Sequence, residues 1–308
     1  MREHLVPILY FLQVHLLYAT LVALGAWALT SLRGASVTAK FWICTAALLN
    51  FVVPLGGFID RFGAQELPGA QQLAPLAALD LALARHPSLA ALLSALWVAG
   101  ALLMLLRLLV RISRERRTNG GRRSRNAPAF RVQGVPVHFT AGCQGPAVEG
   151  MLRSHICLPP GIQRLLSEDE LHAVLLHEVT HARRRDNLLR LIHELAQCLL
   201  WFHPLLWLTG SRLALYRELS CDASVLTGSS GSLLVSALAK LASAENSLML
   251  SSAATSLVAH RLDRLLAPAT AEANRRLNAA LLAAFTTLLF AGVLLTVANT
   301  ACCLVPVP

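Results

Sequence analysis

The sequence predicts a mainly α, membrane-integral fold in which four transmembrane helices carry an α+β domain between the third and the fourth. Three observations predict it. The 308 residues are 55% hydrophobic and only 14% charged, with a mean hydropathy of +0.56, more apolar than a water-soluble chain of this length. Four stretches approach or exceed the roughly 20 apolar residues that a bilayer requires. Between the last two of them, short strand-like runs precede amphipathic helical patterns.

The spans are expected at 5–29, 41–58, 89–110 and 278–297. The first is too long for the apolar part of a signal peptide and lacks a small-residue cleavage site. The second is the weakest, being short and interrupted by Asn50 and Pro54. Charge sets the orientation. Arg33 and Lys40 follow the first span, a dense series from Arg107 to Arg131 follows the third, and Arg275 and Arg276 precede the fourth. The 59–88 segment is charge-balanced. The positive-inside rule then puts the N-terminus outside and everything from 111 to 276 in the cytosol. The expected organisation is three spans in 1–110, a basic linker over 111–129, a catalytic-type domain over 130–276, and a fourth span with a short outer tail over 277–308. The formal charge is +10, and 25 of the 27 basic residues are Arg. A nucleic-acid arm is the rival reading of the linker. Its position against a span, and its lack of aromatic residues, favour contact with the lipid bilayer and no direct nucleic-acid binding.

Residues 130–160 alternate Val132, Val135, Val137 and Phe139 with Gly and Pro, the pattern of short strands and turns. Ser167 and Glu170 then have capping-box spacing and open a helix. That helix carries His177-Glu178-Val179-Thr180-His181. Residues four apart share a helix face, so both imidazoles project to one side and can hold one Zn²⁺, with Glu178 placed to accept a proton from water. A second apolar helix is expected from 187 to 207, broken near Pro204, and a third from about 209 to 226. The third carries Glu218 and Asp222, also four apart. Glu218 can supply the third metal ligand that a zinc site needs, and Asp222 can orient a ligand imidazole. The blander reading of Asp222 is a helix salt bridge. His203 is a candidate cleft-lining residue, although core packing suits it better. Asp186 reads as a structural anchor. Seven cysteines contain no CxxC pair and suggest no disulfide framework.

The run His177 to Asn187, the segment Leu200-Trp201-Phe202-His203-Pro204 and the stretch Arg217 to Leu226 resemble the BlaR/MecR-type antirepressor family of membrane zinc metallopeptidases. The layout of four spans with the protease domain in the third loop is similar as well. The resemblance implies a zincin-like fold of the gluzincin kind. One Zn²⁺ would be bound by His177, His181 and Glu218, with Glu178 as general base and Asp222 behind a ligand. It implies a bacterial cytoplasmic (inner) membrane endopeptidase with a cytosolic catalytic domain. The implied role is regulated proteolysis and signal transduction, with a protein substrate such as a cytosolic transcriptional repressor. Family members that sense β-lactams carry a penicillin-binding sensor domain after the fourth span. The chain stops at Pro308, so that domain is expected to be missing. Two other readings stay open: a quality-control protease resembling HtpX, and a non-proteolytic transmembrane transducer.

Overall fold

The computed structural model describes residues 2–32, 34–53, 85–118, 128–143, 145–226, 231–244, 261 and 275–301. Among them the helices are α1 (Arg2–Ser31), α2 (Val37–Val52), α3 (Pro87–Thr118), α4 (Ile162–Leu165), α5 (Glu168–Arg184), α6 (Asp186–Leu199), α7 (Pro204–Leu226), α8 (Gly231–Ala244) and α9 (Arg275–Ala301). Four strands, β1 (Phe130–Val132), β2 (Val135–Phe139), β3 (Ala147–Glu149) and β4 (His155–Leu158), lie between α3 and α4. The chain forms two compact units. One contains residues 1–105, 195–213 and 273–308, the other 106–194 and 214–272.

In the first unit α1, α2 and α9 share a core of Tyr18, Val22, Ala26, Ile43, Ala47, Leu281 and Phe285. Several polar groups within this apolar bundle find internal partners. The Tyr18 hydroxyl donates to the carbonyls of Leu288 and Leu289, and the Ser36 N–H donates to Asn278 Oδ1 at 2.9 Å. The Ser36 hydroxyl in turn caps α2 by accepting from Ala39 N–H. Among the described residues one helix, Ser88–Glu115, is long and apolar enough to cross a membrane by length and composition. The described apolar parts of the other expected spans are shorter, His15–Ser31, Val37–Val52 and Arg276–Ala291. The end of the second expected span, most of the 59–88 loop and the middle of the 111–129 linker lie outside the described residues.

In the second unit the strands form a mixed sheet ordered β1-β2-β4-β3, with β2 and β4 parallel and the outer pairs antiparallel. Gln133 and Gly134, both at positive φ (45° and 86°), make the two-residue hairpin that joins β1 to β2. Two positive φ values match the twist of the flanking strands. One sheet face, through Val137, Ile156 and Leu158, packs on Leu171, Val174, Leu175 and Val179 of α5. Val225 of α7 with Leu234 and Ala237 of α8 complete this core.

The predicted strands and the α5 helix appear where the sequence places them. The helix expected from about 209 begins five residues earlier, at Pro204. Proline is well suited to the first helical position, since its missing N–H would have had no partner there. The break expected near it is the short turn at 200–203.

Candidate metal centre

Local chemistry fixes α5 at both ends. Ser167 Oγ accepts from the Glu170 N–H, and Glu170 Oε2 accepts from the Ser167 N–H at 2.8 Å, closing the capping box. Glu170 also takes Ser236 Oγ–H at 2.6 Å and Lys240 Nζ at 2.7 Å, which pins α8 to the start of α5. At the other end Arg185 adopts a left-handed conformation (φ 57°), and its N–H bonds back to the carbonyls of Ala182 and His181. This stops the helix and turns the chain, so that Asp186 returns to the side chain of His181.

The two Nε2 atoms of His177 and His181 lie 3.1 Å apart, and Glu218 Oε2, from α7, lies 3.7 Å from each. Three atoms so spaced fall on a circle of radius about 2.0 Å, close to a zinc–nitrogen or zinc–oxygen bond length. One ion can therefore touch all three. Each imidazole has a carboxylate against its other nitrogen. Asp186 Oδ2 is 2.6 Å from His181 Nδ1, and Asp222 Oδ1 is 3.0 Å from His177 Nδ1. At His181 the hydrogen bond to Asp186 fixes the tautomer that leaves the Nε2 lone pair free for a metal, while Asp222 stands beside His177 as a charge partner.

These carboxylates are themselves held. Arg261 donates to both oxygens of Asp222, from Nε at 2.9 Å and Nη2 at 2.8 Å. Its guanidinium also lies 3.7 Å from Glu218 Oε2 and 3.5 Å from His177 Nε2. Arg184 binds Asp186 Oδ2 at 2.6 Å and ties it to α7 through Ser220, the carbonyl of Arg217 and the sulfur of Cys221. Cys221 is the alternative third ligand, since its sulfur lies within 4.8 Å of the imidazole nitrogens. It stands 3.5 Å from His181 Nδ1, however, the ring edge already occupied by Asp186, and burial raises its thiol above the ordinary range. Glu218 faces the Nε2 edges and is the better fit.

Electrostatics agree with a cation at this point. Burial acts to lower the His181 imidazolium, yet Asp186, Cys221 and Glu218 together raise it to about 12. Glu218 stays well below the usual carboxylate range despite its burial, because both imidazoles face it. Surroundings that favour positive charge on two adjacent rings favour a metal cation there too. Burial pushes the Glu178 carboxyl up, with the two imidazoles opposing the shift. A raised carboxyl suits a group that must take and return a proton near neutral pH.

The structure thus brings His177, Glu178, His181, Glu218 and Asp222 into one cluster. His203 has other partners. Its Nε2 is 3.0 Å from Thr20 Oγ1, and its ring meets Phe51 edge-on at 4.8 Å between centroids. The packing reading describes it better than cleft lining does. Two participants are not prominent in the sequence. Asp186 had the plain signal of an acid abutting the motif helix, and Arg261 had none.

Comparison with known proteins places this cluster in context. The regulatory protein BlaR1 of Bacillus licheniformis is 37% identical over 83 residues, 27% of this chain and 14% of that protein. The methicillin resistance mecR1 proteins of Staphylococcus aureus and Staphylococcus epidermidis are each 24% identical over 97 residues, 32% of this chain and 17% of theirs. The matches span less than a fifth of the length of these curated relatives. The profile of the BlaR1 peptidase M56 family matches residues 64–276, which include the whole His177 cluster, and the chain belongs to that family.

Proposed function

We propose that this chain is a membrane zinc endopeptidase that acts in regulated proteolysis. The observation that carries the reading is the convergence of His177 Nε2, His181 Nε2 and Glu218 Oε2 on one circle of metal-bond radius, with Glu178 adjacent in sequence to the first ligand. His177, His181 and Glu218 would hold the ion. A zinc ion held there would supply Lewis acidity toward a scissile carbonyl and toward the attacking water. Glu178 accepts the water proton and delivers it to the departing amine nitrogen, so one carboxyl serves as base and then acid. Asp186 and Asp222 hold the imidazole planes, and Arg261 keeps Asp222 ionised and aligned. Glu178→Gln tests this. Zinc content stays at the wild-type level, while hydrolysis of a peptide that wild type cleaves falls by roughly 10²–10⁴-fold. Unchanged hydrolysis in the variant would overturn the mechanism and favour a non-proteolytic transducer.

Four spans, an outer N-terminus and a cytosolic catalytic domain are the topology we assign, supported by the Arg bias of the loops and the apolar helices α1, α2, α3 and α9. The substrate class is protein, a cytosolic transcriptional repressor or a membrane-anchored regulator. It draws on the regulatory and resistance roles in the relatives' names. A quality-control protease of the HtpX kind is the second reading. The grouping of 195–213 with the apolar helices favours it, because such proteases bury more of the site's surroundings in the membrane.

A further inference from the structure

The small sheet carries a second set of ligand-type side chains that the proposed chemistry leaves unused. Strand alternation decides where they sit. Val137 of β2 and Ile156 and Leu158 of β4 face the core against α5, so His138, His155 and Cys157 take the opposite face. Register then brings them together. His138 pairs with Cys157 across β2 and β4, and Glu149 pairs with His155 across β3 and β4. Glu149 Oε2 is 3.6 Å from His155 Nε2, and Glu149, His155 and Cys157 each offer a ligand atom within 4.8 Å of the others. Cys143, in the turn after β2, adds a second sulfur. Its thiol donates to the Gly145 carbonyl at 3.1 Å, and its N–H bonds to the carbonyl of Thr140, the residue whose hydroxyl meets Cys157. Thr140 Oγ1 donates to Cys157 Sγ at 3.7 Å, and the His138 ring stands edge-on to His155 at 5.3 Å between centroids.

We propose that Glu149, His155 and Cys157, whose ligand atoms already stand together, take Cys143 from the adjoining turn as a fourth donor and form a second zinc site, closed and structural, on the outer face of the sheet. Two sulfurs, one imidazole and one carboxylate are four donors of the types zinc takes in tetrahedral sites. The thiols favour zinc over the hard cations magnesium and calcium, which take oxygen ligands. The four donors come from β3, β4 and the turn after β2. One ion would cross-link the short strands of a sheet whose own hydrogen bonding is limited to runs of three to five residues. With four protein ligands no position is left for substrate or water, so this site would hold structure and perform no hydrolysis. A plain apolar role is a weaker account, because it leaves unexplained why every sulfur and imidazole on this face neighbours another ligand-type group. The site is separate from the His177 cluster and does not rest on the proposed peptidase activity.

The test uses the full chain, purified in detergent under reducing conditions and loaded with Co²⁺ in place of zinc. The expected result is a thiolate-to-cobalt charge-transfer absorption that Cys143→Ser/Cys157→Ser abolishes and His177→Ala leaves intact. Metal content falls from about two ions per chain to about one in either variant. Cys143→Ser alone guards against misfolding of the double variant, since Cys143 is half-buried in a turn, and it also loses most of the absorption. No charge-transfer band in wild type, or a band that survives both serine substitutions, would overturn the proposal. Unchanged metal content in His177→Ala with the band intact would instead refute the His177 assignment, so the two failures are distinguishable.

Discussion

Replacing Arg261 by alanine should be among the most damaging single changes in the second unit. Asp222 is only 2% exposed, and the Arg261 side chain is 12% exposed. The guanidinium meets both carboxylate oxygens at 2.8–2.9 Å, a bidentate arrangement of the stronger kind. Removing one partner leaves a buried charge without its main counter-ion, which typically costs about 3–5 kcal/mol. The His177 ring stays beside Asp222, with Nδ1 at 3.0 Å, and leaves the carboxylate partly compensated, which argues for the lower end, about 3 kcal/mol. At roughly 2–4 °C per kcal/mol for a unit of this size, the melting point should fall by roughly 6–12 °C. The assay is thermal unfolding of the full chain in detergent for wild type, Arg261→Ala, Asp222→Asn and the double variant. The cycle supplies the decisive comparison. Asp222→Asn removes the charge that Arg261 neutralises, so Arg261→Ala should cost much less in that background. Equal costs in both backgrounds, or a melting point within about 2 °C of wild type in Arg261→Ala, would refute the reasoning.

Two further changes test the frame around the site. Lys240, Ser236 and the Ser167 N–H bring the Glu170 carboxyl down to about 2 from its ordinary 4.5. A lowered folded-state value means that the stabilisation is fully present above about pH 4.5 and fades as the pH falls toward 2. The difference in urea midpoint between wild type and Glu170→Gln should therefore be large at pH 6 and vanish near pH 2, whereas a difference independent of pH would contradict the assignment. Gly134 sits at φ 86° with open space where a Cβ would stand, so Gly134→Ala should cost only the backbone strain, about 1 kcal/mol. A much larger loss of stability would mean that the hairpin makes a contact this account lacks.

Local rules made the motif helix legible. Ser167 and Glu170 announced its start, and the four-residue spacing of His177 and His181 announced a shared face. The same spacing linked Glu218 to Asp222 on α7. What could not be read were partners that depend on chain reversal or long separation. Asp186 is five residues beyond His181, a spacing that is off any helical face. It reaches the imidazole only because Arg185 turns the backbone through a left-handed conformation. Arg261 meets Asp222 across 39 residues of sequence, and no periodicity connects the two. Helix α8 has no comparable start signal in the sequence, where its apolar run Leu233-Leu234-Val235 stands beside Ser and Gly residues. Its place is set by Lys240 and Ser236 gripping Glu170. The cysteines of the sheet were legible only as scattered residues, since strand register, not sequence spacing, brings Cys157, His155 and Glu149 together.

The central claim is that two imidazoles and the Glu218 carboxylate bind one zinc ion while Cys221 stays outside. Zinc K-edge X-ray absorption on the full chain carrying Cys143→Ser/Cys157→Ser tests this most directly, because it removes the sheet sulfurs from the signal. The account predicts a shell of nitrogen and oxygen alone at about 2.0–2.1 Å, with the outer-shell pattern of two imidazoles. A sulfur scatterer at about 2.3 Å would put Cys221 in the place of Glu218 and contradict it.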